Sequence, residues 1–150
     1  MADFNFNLLT HSPETKDVVS AALGDTANNA FLHTQDFGKA VRMGTQSNYV
    51  LCVADDEIEG FIDSVRGDTV NEGFSFGGVS RGGRHQAKVG GGQGGTAIKP
   101  LDLVVADDQE APGTQGEATV KTGSPSTHKW RVINVMGDGL EGSTVVLEKV

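Results

Sequence analysis

Residues 80–96, SRGGRHQAKVGGGQGGT, gather the residue types that hold phosphate. Seven of the fourteen residues from Gly82 to Gly95 are glycine, and Arg81, Arg84 and Lys88 lie among or beside them. Gly90, Gly92 and Gly95 even satisfy G-x-G-x-x-G. A dinucleotide loop must leave a strand and open a helix, so that helix N–H groups face the pyrophosphate. Here the sequel is TAIKPLDLVV, whose Pro100 and β-branched run oppose a helix. No Gly-Lys-Ser/Thr follows at Walker spacing either. The glycines read as flexible joints of a hairpin loop, and no cofactor is expected.

The basic residues stand out more. Residues 81–99 carry four positive charges and no negative one, in a chain of net charge −8. Arg81, Arg84 and Lys88 are therefore candidate contacts to an acidic partner, for which Asp55-Asp56-Glu57 or Asp107-Asp108 of a neighbouring copy would serve. Such complementary charge orients partners more than it adds affinity.

Other chemistry is sparse. His11, His33, His85 and His128 show no paired spacing, and Cys52 has no second cysteine, so no zinc site is expected. Cys52 sits in the apolar run YVLCV and reads as a buried, inert thiol. ADDEIEG (54–60) lacks the alternating oxygens of a calcium loop and reads as a solvated turn. Arg66-Gly67-Asp68, the tripeptide integrins bind, also makes a good turn. The reading assigns no hydrolase triad, no catalytic or metal residue, and no enzyme activity.

The elements that must carry these residues are short. The 150 residues fit one domain with its own core. With 37% hydrophobic residues and 21 glycines, a compact centre with extended loops is expected. The acidic balance disfavours nucleic acid, whose phosphates need displaced counterions. No stretch reaches the length of a membrane span, and MADFNFNLLTH lacks a basic n-region, so a soluble protein made in a cytoplasm is expected.

Residues 1–38 read as an N-terminal arm. Phe4, Phe6 and Leu8 alternate as in an added edge strand, and with Leu9 they form an apolar partner contact. Ser12 and Pro13 suit a helix start, and a short helix over 13–23 ending at Gly24 is predicted, followed by an irregular connection. Residues 39–150 read as a β domain. Strands are predicted over 39–43, 48–53, 58–65, 74–80, 85–89, 101–106, 118–121, 129–136 and 143–149. The 58–65 run looks covered on both sides, with Phe61 and Val65 opposite Ile58 and Ile62. About eight or nine short strands make an all-β fold, a small barrel or sandwich. LCVADDE (51–57) and LVVADDQE (103–110) suggest two equivalent strands ending in acidic turns.

GKAVRMG, YVLCVADDEIEGFIDSV, GFSFGGVSRGGRHQAKV and IKPLDLVVAD, from Gly38 onward, resemble the small decoration (cement) proteins of tailed-phage capsids. HKWRVINVMGDGLEGSTVVLEKV is similar to their closing hairpin, while Pro100–Val104 stands where Gly-Asp-x-Val is usual. The resemblance implies a virion protein on the outer face of an icosahedral shell. Its partners would be the major capsid protein and other copies of itself, as dimer or trimer, with the arm ordering on the shell. Two other readings stay open: a tail-tube or head–tail joining subunit, and an adhesive or carbohydrate-binding module using the Gly-rich loop or Arg66-Gly67-Asp68.

Overall fold

A computed structural model describes residues 18–25, 30–31, 34–45, 48–65 and 76–150. Phe4, Phe6, Leu8, Leu9, residues 13–17 of the expected helix and Arg66-Gly67-Asp68 lie outside the described residues.

The described chain is all-β. Its strands are β1 (Val18–Ala22), β2 (Gly24–Asp25), β3 (Ala30–Phe31), β4 (Ala40–Met43), β5 (Tyr49–Leu51) and β6 (Gly60–Val65). They continue as β7 (Phe76–Ser80), β8 (Arg84–Val89), β9 (Leu103–Ala106), β10 (Thr119–Thr122), β11 (Trp130–Met136) and β12 (Thr144–Lys149). Every strand predicted from Lys39 onward is present, its ends among the described residues within two residues of the expected ones. β1, β7, β6, β4 and β5 form an open antiparallel sheet in that order, while β10, β8, β12, β11 and β9 close into a barrel. Within the barrel only β8 and β10 run parallel.

The predicted helix over 13–23 is corrected where it is described. Val18–Ala22 is a strand, paired in register with β7 from Val18–Ser80 to Ala22–Phe76. Val18 and Val19 are β-branched, and an available sheet edge outweighs the marginal stability of one short helix. Gly24 has the expected positive φ (89°), but it follows a strand. The stretch 18–22 thus belongs to the sheet.

Two apolar clusters form the core, one inside the barrel around Trp130, Phe61, Leu147 and Ile58, the other around Leu23, Val41, Tyr49, Ile62 and Val79. Adjacent residues on β4 and β6 split between them: Ala40 and Phe61 face the barrel, Val41 and Ile62 the second cluster. Successive side chains on a strand point to opposite faces, so β4 and β6 join the two halves. β6 is covered on both sides as expected. Ile58, however, packs with Phe61 rather than opposite it, because the strand begins only at Gly60, and Val65 packs with Ile62's cluster, past a register shift between Ile62 and Ser64. Trp130 anchors this junction, its ring edge-on to Phe61 at 4.9 Å and its Nε1–H donating to Ile58 O at 2.9 Å. Near β9, Pro100-Leu101 forms a turn with Leu101 at φ 77°, and the strand starts at Leu103.

Candidate functional site

The Gly-rich loop does hold an anion, and the anion is the chain's own. Gly92 N–H donates to Asp107 Oδ2 at 2.8 Å, and Asp108 N–H to Asp107 Oδ1 at 2.9 Å. A Cβ on Gly90 would overlap that carboxylate and lie 2.6 Å from Thr119 Cγ2. Burying a carboxylate requires donors at close range, and glycine lets the backbone approach. The loop is also fastened to β10, Gly90 N–H donating to Val120 O and Thr122 N–H to Gln93 Oε1. This corrects the reading of a flexible joint.

β8 is a barrel strand bonded on both sides, to β10 and β12, so it is no hairpin reaching outward. Its pleat still presents Arg84, Gln86 and Lys88 to solvent while Ala87 and Val89 face inward. Arg84 stands opposite Glu148 on β12, and Arg131 of β11 stands opposite Glu148 from the other side. The two guanidinium groups reach its carboxylate at 3.6 and 3.3 Å. Three strands therefore align Arg84, Glu148 and Arg131 in one row with an excess positive charge. Arg81 is half-buried in the β7–β8 turn, its Nε without a hydrogen-bond partner among the described residues. Lys88 lies four residues along from Arg84, beside Thr119 and Thr144. Sequence spacing could not bring Arg131 to this patch; cross-strand register does.

The two similar acidic stretches meet one another. Asp55 N–H donates to Ala106 O and Ala106 N–H to Asp56 O, both at 2.9 Å, and Ala54 N–H reaches Asp108 Oδ1 at 3.1 Å. Asp56 pairs with Arg42 at 2.7 Å. Glu57 receives the N–H groups of Ser126, Thr127 and His128 and the Ser126 hydroxyl. Those donors hold its carboxyl down at about 2, the His128 N–H contributing most. Of the acids proposed to meet a neighbouring copy, Asp56, Glu57 and Asp107 are engaged within the chain. Asp108 is exposed, and Asp55 is 80% exposed although paired with Lys121 at 2.8 Å.

A second arrangement was invisible in the sequence. Lys39 and Asp36 are fully buried, with Nζ and Oδ1 2.6 Å apart. Lys39 Nζ also donates to the carbonyls of Glu110 (3.1 Å), Ala111 (3.0 Å) and Thr114 (2.5 Å). Asp36 accepts the Gly113 N–H through both oxygens at 3.0 Å. This pair clamps the loop 110–114 onto the segment 36–39. The chain leaving each side of the clamp forms a wall of a cleft of about 770 Å³: Gln35 and Phe37 on one side, Gln115 and Glu117 on the other. Buried Ile62 and Ala118 lie at its base, with Asp63, His85, Gln86 and Lys88 from β6 and β8 completing it.

His85 lines this cleft and its Nε2 lies 3.1 Å from Ser80 Oγ, but the two are not arranged as a nucleophile and its base. His85 Nε2 is 3.0 Å from Gly82 O, which only accepts, so that nitrogen carries the proton. The Ser80 hydroxyl also donates to Gly82 O (3.2 Å). Burial against Phe61 and Trp130 pushes the His85 pKa down, partly offset by Gly82 O and Asp63. GFSFG at 73–77 satisfies G-x-S-x-G, a match the sequence offers although no triad was assigned from it. A nucleophile elbow requires a helix after the serine, whereas Phe76 and Gly77 open strand β7. Ser75 itself lies outside the described residues. Among the described residues, no three His, Cys, Asp or Glu side chains converge as metal ligands. Cys52 is buried, as expected, and desolvation drives its thiol pKa far up.

Fold and topology together define an all-β body in which an open five-stranded sheet meets a closed five-stranded barrel. Compared with family models, curated proteins and solved structures, the chain gives no match in any of the three.

Proposed function

We propose that the protein is a viral structural protein, a decoration protein that binds the outer face of an assembled tailed-phage capsid and stabilises contacts between major capsid protein subunits. One observation carries the reading: the stretches bearing the family resemblance fall within one hydrogen-bonded β body. GKAVRMG contains β4, YVLCVADDEIEGFIDSV contains β5 and β6, and GFSFGGVSRGGRHQAKV contains β7 and β8. IKPLDLVVAD contains β9, and the closing stretch is the β11–β12 hairpin. The proposed capsid contact is the basic row of Arg84 and Arg131, flanked by Arg81 and Lys88, because that patch concentrates positive charge on a chain of net −8. Copies of the protein, as dimers or trimers, would occupy the lattice together.

The test is stoichiometry. Purified protein is mixed with undecorated tailed-phage capsids, and bound copies are counted by cryo-electron microscopy. Hundreds in lattice register support decoration. A single ring of about six or twelve indicates a joining subunit. No binding leaves the adhesive reading.

A further inference from the structure

We propose that the cleft between Phe37 and the 115–117 segment binds a neutral saccharide. The cleft's volume of about 770 Å³ is within the range of small-ligand sites. Its walls are positioned before any ligand arrives, because Lys39 and Asp36 clamp the segments from which both emerge. A fully buried ion pair is a poor device for stability and a good one for fixing geometry.

The lining chemistry selects the ligand by elimination. Phe37 is 62% exposed, an aromatic ring left in water at the cleft wall. Three of the chain's six glutamines, Gln35, Gln86 and Gln115, converge here. Asp63 and Glu117 add two carboxylates and Lys88 one ammonium, so the formal charge is close to balanced. A single cation cannot grip a polyphosphate, and two acids would repel an acidic peptide. An apolar ligand would displace water from the Gln86 and Gln115 amides and the two carboxylates without replacing its hydrogen bonds. A pyranose satisfies both halves of the site: its C–H face lies on the Phe37 ring, while paired hydroxyls donate to carboxylates and exchange hydrogen bonds with amides. The cleft differs from the Gly-rich loop and the Arg66-Gly67-Asp68 turn considered for carbohydrate binding from sequence. The inference does not depend on the capsid reading.

The experiment uses the free, full-length protein, isotopically labelled for NMR and titrated with neutral di- and trisaccharides of glucose, galactose, mannose and N-acetylglucosamine at millimolar concentration. At least one saccharide is expected to give saturable shifts centred on Phe37, Gln86 and Gln115. Phe37→Ala should weaken that binding about ten-fold or more. Because Phe37 is exposed, its fold should persist, and the remaining spectrum reports this directly. Gln86→Ala, on an exposed strand position, serves as the second variant. The proposal is overturned if no saccharide shifts these resonances, if Phe37→Ala and Gln86→Ala both bind unchanged, or if ATP or an acidic peptide binds there more tightly. Capsid binding is a separate readout that Phe37→Ala should not move.

Discussion

Lys39 Nζ lies 2.6 Å from Asp36 Oδ1, with both side chains fully buried and the ammonium surrounded by three carbonyl oxygens as well. Removing one member of such a pair leaves the other charged and stranded. Lys39→Met is therefore expected to destabilise the fold by about 3–5 kcal/mol, read from urea denaturation. Adding Asp36→Leu should recover part of that loss while leaving the 110–114 loop poorly protected from hydrogen exchange. A single variant as stable as the parent would show that the clamp contributes nothing.

Acid sensitivity should trace to Glu57. Its folded carboxyl titrates near 2 against an ordinary 4.5, so the unfolded chain takes up the proton first as pH falls. The stabilisation is complete above about pH 4.5 and is lost progressively toward pH 2. Glu57→Gln should lower the urea midpoint at neutral pH and flatten its decline across that window. Some slope should remain, because the Leu140 N–H and the Ser143 hydroxyl hold the Asp138 carboxyl low too. An unchanged profile would remove Glu57 from the account.

The Gly-rich loop offers a paired test. Gly90→Ala places a methyl against the Asp107 carboxylate and Thr119, which should cost about 1–3 kcal/mol. Gly95 has nothing within 4 Å of its Cβ position, so Gly95→Ala should stay within about 0.5 kcal/mol of the parent. Thermal denaturation of the two variants decides between a fastened loop and a slack one.

Arg84→Ser with Lys88→Ser should leave stability nearly unaltered, within about 1 kcal/mol, since the Arg84 side chain is 61% exposed where it meets Glu148. Under the proposed function, capsid binding by this variant should weaken at moderate salt. Loss of folding would instead assign the row to the barrel's own structure.

Cys52 should resist thiol reagents in the native protein, because desolvation first, and the nearby Asp56 charge second, disfavour its thiolate. Reaction with a disulfide reagent should become fast only in denaturant. Rapid native labelling would reveal an opening that the buried position does not suggest.

The sequence by itself determined the all-β class and the strands after Lys39, because period-two alternation and turn-forming residues are local signals. Phe61–Ile62 on β6 could be read as covered on both faces for the same reason. Only the tertiary structure decided what those strands assemble. Val18–Ala22 became a strand because β7 offers an edge to pair with. The glycines after β8 met Asp107 rather than a phosphate because β9 and β10 bring that carboxylate to them. Lys39 looked like the first residue of a strand, yet its three carbonyl partners lie 71 to 75 residues away in the 110–114 loop. Glu57 and Arg131 acquired their roles in the same way, through a distant turn and a neighbouring strand. A pattern in neighbouring residues carries no record of contacts made only when the barrel closes, and those contacts shape both the basic row and the cleft.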